Sequence, residues 1–361
     1  MRVGQARETA RQWVNEEASR IPGFCGAYTI GSTNWLPDDD NLTTTSDLDI
    51  IVVLTAPYQA SPCDKLRSGK FRYGEILLEV SYLRSDQLQS SDLVLSDYHL
   101  APSFRTTNIL LDPSGHLTAL RALVCRDYAK RQWVRQRCAN ARDKVLRYLR
   151  SIAEATTFHD QVIACLFAAG ITTHVLLVAG LRNPTVRARY VAVRELLADY
   201  DDVEFHQTLL ELLGADRISR GRVSQHLATL TGIFDAARKV INAPFPFASD
   251  LSDIARPIAI DGSLELIERG YHRKRCSGSP SPIPDVRRCS RATRQANCRR
   301  APATAIEIWW TISASLHLLT LGDAVQRSSA SFRESGKQQK ELWRQISESR
   351  MIDVRSAIDT E

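Results

Sequence analysis

Along residues 4–20 apolar positions recur at Ala10, Trp13, Val14 and Ala18 with Arg and Glu elsewhere, which predicts a helix with one buried face. The pattern stops at Ile21-Pro22-Gly23-Phe24, and two short apolar runs follow. The first, Phe24 to Ile30, ends in Gly31-Ser32; the second, Leu48 to Leu54, is nearly continuous and β-branched, which suits a strand covered on both faces. Lys70 to Leu83 predicts two strands about a Gly74-Glu75 turn. Asn108 to Val124 reads as a strand, an Asp112-Pro113-Ser114-Gly115 turn and a helix start. Up to about residue 120, short strands mixed with helices predict a small mixed-sheet domain.

From Ala129 the period changes. Val134, Cys138, Ala141, Val145 and Leu149 fall on one helix face, while Lys130, Arg131, Arg135, Arg137, Arg142, Lys144, Arg147 and Arg150 take the others, as a solvated surface or a phosphate-facing stripe. Helical patterns continue through residues 184–200, with Pro184 at a helix start, and through 203–214 and 222–243. Val162 to Leu181 has no Asp, Glu, Lys or Arg and is about as long as a bilayer span, but Thr172, Thr173 and His174 interrupt it and no second such segment exists. It reads as the central helix of a bundle, with His174 a core histidine and no membrane partner. The chain is therefore expected to be α+β: a mixed-sheet domain over 1–125, an all-helical bundle over 126–272 and an atypical tail over 273–361.

Composition bounds the function without naming it. With 361 residues, 43% hydrophobic and 24% charged, the chain can build two cores and is not disordered throughout. The net charge of +6 is local: Arg273 to Arg300 holds nine basic residues against Asp285, which leaves the rest of the chain slightly acidic. A nucleic-acid partner is therefore not the main reading. Eight cysteines without a C-x-x-C or a compact framework fit a reducing, cytoplasmic setting, and the charged amphipathic start is not a secretory signal. The tail has four readings: a basic arm for nucleic acid, a zinc site from His272, Cys276, Cys289 and Cys298 whose long gaps match no compact finger, a linker, or the product of a shifted reading frame. Under the last, if the serines use TCN codons, a one-base shift lets the stretch from Lys274 read as an apolar helix when the wobble bases are freely chosen; an uninterrupted frame with the same tail in a close relative would exclude it.

The chemistry concentrates in Gly31-Ser32, Asp47-Leu48-Asp49 and Glu79. Asp47 and Asp49 are two apart at the mouth of a strand, so both carboxylates point to one side of the sheet. Like charges at that range repel unless a cation joins them, and magnesium, a hard ion that accepts carboxylates and phosphate oxygens, is the natural occupant. Glu79, a charge inside an apolar strand, would complete the set, although it could instead pair with Arg72 across the hairpin. Gly31 at a strand end lets backbone approach a ligand, and the amides and hydroxyl that follow can face a triphosphate. Asp38, Asp39 and Asp40 read as a solvated loop.

This ordered set, Gly31-Ser32, then Ser46-Asp47-Leu48-Asp49-Ile50, then Glu79, resembles the motifs of the DNA polymerase beta-type nucleotidyltransferase superfamily, and the helical second domain makes it most similar to the antibiotic (aminoglycoside) nucleotidyltransferase-like branch. The resemblance implies ATP or another nucleoside triphosphate, Mg2+, and transfer of a nucleoside monophosphate to a hydroxyl of a small acceptor, with an aminoglycoside-like antibiotic as one candidate. It implies Asp47, Asp49 and Glu79 as catalytic metal ligands and Gly31 and Ser32 as nucleotide-binding residues. A protein acceptor, or a non-catalytic nucleotide or nucleic-acid binder, are the competing functions. Enzymes resembling this branch often draw a general base from the helical domain; Glu154, Asp160 and Glu195 are candidates among which sequence does not choose.

Overall fold

The computed structural model describes residues 1–56, 68–186, 188–213, 215, 218–240 and 248–271. The four readings of the tail, His272 and the tail cysteines included, lie outside the described residues. The described chain is α+β, a mixed five-stranded sheet joined to a helical bundle.

The strands are β1 (Phe24–Ile30), β2 (Leu48–Leu54), β3 (Gly69–Tyr73), β4 (Ile76–Arg84) and β5 (Ile109–Leu111), in the order β3-β4-β2-β1-β5. β2 and β4 run parallel; the other neighbours are antiparallel. Each face of the sheet is covered, as the β-branched run of β2 requires. Leu48, Ile50, Val52 and Leu54 meet α1 (Val3–Glu16) through Ala6, Ala10, Trp13 and Val14, and Trp13 lies 5.5 Å from the Phe71 ring. Tyr28 and Val53 project to the other face, against α2 (Ser91–Ser96) and α3 (His116–Asp127), where they meet Val94, Leu95, Leu117, Leu120 and Val124. Truncating any one of the larger side chains to Ala would cost about 2–5 kcal/mol. Odd-numbered residues of β2 thus face α2 and α3, and this parity decides where the acids point.

The helices that follow are α4 (Arg131–Glu154), α5 (Phe158–Ala179), α6 (Arg189–Asp199), α7 (Val203–Leu212), α8 (Arg220–Val240) and α9 (Gly262–Glu268); α4 to α7 share one apolar core, and α8 and α9 pack around a second. α5 is the one described helix long and apolar enough to cross a membrane, and 61% of that stretch is buried inside the protein. Its apolar surface packs on α4, α6 and α7 through Leu166, Ala169, Ile171 and Leu177. His174 sits in that core as expected, its Nε2 3.1 Å from the Thr185 carbonyl. The helix anticipated from Pro184 starts only at Arg189, because residues 183–185 close a tight turn, Thr185 N–H to Asn183 O at 2.8 Å, that is incompatible with a helical start there.

Arg137 departs from the solvated face expected for the α4 cations. It is fully buried, donates to Leu95 O (3.0 Å) and Tyr128 O (2.6 Å), and stacks 3.9 Å over the Tyr128 ring. Arg105 also lies over Tyr128, 4.5 Å from its ring centroid, and 5.4 Å from that of Trp35, and donates to Leu181 O just after α5. These two guanidiniums join α2, the end of α3 and the helices that follow. Of the other cations on this helix, Arg142 pairs with its neighbour Asp143 and Lys144 lies over Tyr98.

Candidate metal and nucleotide site

β1 ends at Ile30, and the chain turns through Gly31 into a short 3-10 turn, Ser32–Trp35. Three buried polar groups hold that turn. Asn34 and Asn108 each donate a side-chain N–H to Thr29 O at 2.7 Å, and Thr29 N–H reaches Asn108 O at 2.8 Å. From outside, Arg7 of α1 donates to Thr33 O and Leu36 O and pairs with Asp38. Backbone bonds from Val3 to Asp40 O and from Gly4 to Asp38 O strap the loop to α1. Asp38 to Asp40 are therefore structural loop residues, consistent with a polar loop rather than ligands.

Gly31 has φ +77 and ψ −166, a conformation open to glycine and strained for any other residue. Its Cα abuts Asp49: a Cβ there would overlap the Asp49 Oδ2 and lie 2.9 Å from the carboxyl carbon. The contact follows from the ladder, in which Ile30 pairs with Asp49.

On the other side of β2 the register pairs Asp49 with Glu79, and Glu79 with Lys70 of β3. Ile76, Leu78 and Val80 face α1, so Glu79 points to the opposite face, the one Asp49 occupies. Carboxylate oxygens of Asp47, Asp49 and Glu79 all lie within 4.8 Å of one another. Asp47 is buried and the other two half-buried. A hard, all-oxygen donor set of this size fits a divalent cation such as Mg2+.

Among the described residues, the cation that meets Asp47 and Glu79 is Lys70, not Arg72. Its ammonium lies 3.1 Å from Asp47 Oδ2, contacts Glu79 Oε2, and lies 3.0 Å from Asp250 Oδ1. Arg72 stands opposite Leu77 and is exposed. The two-residue turn forces this, since pairing Tyr73 with Ile76 puts Lys70 across from Glu79. Burial disfavours the Lys70 ammonium, but Asp47, Glu79 and Asp250 outweigh it and raise its pKa. Burial also raises the Glu79 carboxyl, with Lys70 pulling it back and Asp47 adding to the rise.

Asp250 arrives from a distance in sequence. It lies in a 3-10 turn, Ala248–Leu251, after α8, seated on β3 where Gly69 adopts φ +92 and a Cβ would come within 2.7 Å of Ser249 Cβ. Arg256 grips Asp235 of α8 with two bonds at 2.9 and 3.1 Å, and Arg238 pairs with Asp253, so the turn is anchored to that helix.

The three candidate bases are elsewhere. Glu154 and Asp160 line a cavity of about 380 Å³ with Tyr148, Ser151 and Ile163 at the α4–α5 turn. Asn140, which accepts from Tyr98 N–H, marks where α4 meets the sheet side, and Glu154 lies fourteen residues further along the helix, about 20 Å at 1.5 Å per residue. Glu195 is exposed on α6. None belongs to the acid cluster; among the described residues the extra carboxylate there is Asp250. Sequence offered a signal for Lys70, through the hairpin register, but none for Asp250.

No family model matches the sequence, and a comparison with curated proteins finds no match. Among solved structures, a nucleotidyltransferase-like protein from Exiguobacterium sibiricum is similar over 76% of this chain and 96% of that one, at 14% identity and a TM-score of 0.29. A superposition that loose leaves the chemistry to be argued from the residues themselves.

Proposed function

We propose that the protein is a magnesium-dependent nucleotidyltransferase that moves a nucleoside monophosphate from ATP or another nucleoside triphosphate to a hydroxyl of a small molecule, an aminoglycoside-like antibiotic being the first acceptor to try. The observation that carries this reading is the convergence of Asp47, Asp49 and Glu79 on one face of adjacent strands, with the Gly31 turn packed against Asp49.

Asp47, Asp49 and Glu79 would hold the ion, which supplies neutralisation of the triphosphate charge and polarisation of the phosphoryl group being transferred. The chain's own residues do the positioning. Gly31, having no side chain, lets the Asp49 carboxylate seat directly against the turn, and the exposed Ser32 presents a hydroxyl and a backbone amide next to it. The paired register of β2 and β4 fixes the Asp49 and Glu79 carboxylates by rigid sheet rather than by loop. A cytoplasmic location accords with the cysteine pattern.

Incubation with labelled ATP, Mg2+ and a panel of aminoglycosides tests the reading: label is expected on a drug, and Asp49→Asn is expected to abolish transfer while leaving the circular dichroism spectrum unchanged. Label on protein moves the acceptor to a polypeptide. Label on neither, with Mg2+-independent ATP affinity, removes the transferase reading.

A further inference from the structure

Lys70 and Asp250 have no part in the reading above, yet they occupy its centre. The oxygens that Lys70 holds, Asp47 Oδ2 and Glu79 Oε2, belong to the carboxylates a divalent ion needs. A buried ammonium and an incoming dication would repel, so the two cannot share those oxygens unchanged. The lysine head sits on a four-carbon flexible stem and can move by ångströms without backbone change. Asp250 offers it somewhere to go. Its carboxylate is half-exposed at the rim and already 3.0 Å from the ammonium, and it is fixed by the Gly69 contact with Ser249 and the α8 ion pairs.

We propose that Lys70 is a displaceable internal counter-ion of the metal site and that Asp250 is its receiving partner: binding of a divalent cation moves the ammonium off Asp47 and Glu79, and Asp250 retains it at the rim. Before metal arrives, Lys70 offsets the mutual repulsion of the acids and keeps the cluster assembled. Afterwards the same charge stands where anionic substrate oxygens approach. The inference rests on the metal reading of Asp47, Asp49 and Glu79.

Mn2+ binding by the full-length protein, followed by electron paramagnetic resonance at fixed pH, tests it independently of any acceptor. Lys70→Met removes the competitor and is expected to tighten Mn2+ binding by roughly tenfold, and Asp250→Asn, which leaves the lysine only the ligands, is expected to weaken it by about three- to tenfold. In the Lys70→Met background Asp250→Asn is expected to change nothing. An unchanged or weaker affinity in Lys70→Met, or an Asp250→Asn effect that persists without the lysine, overturns the proposal while sparing the metal reading. Absence of Mn2+ binding by the unaltered protein overturns both. Should Lys70→Met fail to fold, Asp250→Asn alone decides, since its half-exposed side chain can be changed safely: unaltered Mn2+ affinity overturns the proposal.

Discussion

Gly31→Ala isolates the contact on which the site depends. The added Cβ would lie 2.9 Å from the Asp49 carboxyl carbon, whereas carbon atoms rest at about 3.5–4.0 Å. The Asp49 carboxylate must then withdraw by about 0.6–1.1 Å, more at the oxygen, or the turn must lift by as much. The backbone adds strain of about 1–3 kcal/mol, because φ +77 with ψ −166 is not open to alanine. Gly115→Ala is the contact-free control: Gly115 has φ +74 and ψ 1, a milder left-handed conformation, and nothing lies within 4 Å of a Cβ there. Both variants are expected to lose stability in urea unfolding, but only Gly31→Ala should weaken Mn2+ binding, by about 10–100-fold, the range for disturbing the support of a metal ligand. If Gly31→Ala binds Mn2+ within twofold of Gly115→Ala, Asp49 is not pinned by the turn and the reasoning fails.

Two further measurements probe the supporting structure. Burial above all, helped by nearby Arg189 and Arg194 respectively, lowers the pKa of His174 to about 3 and of His206 to about 4. A base depressed on folding adds stability that is complete above its unfolded pKa near 6.5 and is lost as pH falls toward the folded value. Each ring should therefore remove about 2 kcal/mol between pH 7 and pH 5. Urea unfolding at the two pH values checks this: His174→Gln and His206→Gln should each lose about 2 kcal/mol less than the unaltered protein, and an equal loss would contradict it. At the start of α3, Asp112 Oδ2 accepts from Thr118 N–H and Oγ1–H, both at 2.8 Å; burial raises this carboxyl, but the Thr118 bonds outweigh it and set it below the usual range. Its contribution is present above the unfolded carboxyl pKa and is lost as pH falls through the lower folded value, so Asp112→Ala should cost about 1 kcal/mol at pH 7 and progressively less as pH falls below the unfolded carboxyl pKa.

How much of this was legible beforehand depends on the range of each interaction. The five strands, most helices and the shared face of Asp47 and Asp49 followed from period and from β-branched runs, because side-chain alternation along a strand is a local property of the backbone, whereas the face of Glu79 came from the β2–β4 register. Even the pairing of Lys70 with Glu79 was implicit in a two-residue turn at Gly74-Glu75, and the alternative through Arg72 fails on register alone. The helix start assigned to Pro184 failed because a turn at 183–185 takes precedence there.

What the chain determined by itself, then, was which residues share a face of which strand, and where glycine had to stand. Tertiary structure alone decided that β2 lies parallel beside β4, that Arg137 plunges into the sheet-side core instead of facing water, and that Asp250 crosses about 180 residues of sequence to reach Lys70. Periodicity carries no information about such meetings, since burial and charge pairing between distant segments are fixed by how whole elements pack and not by the spacing within any one of them.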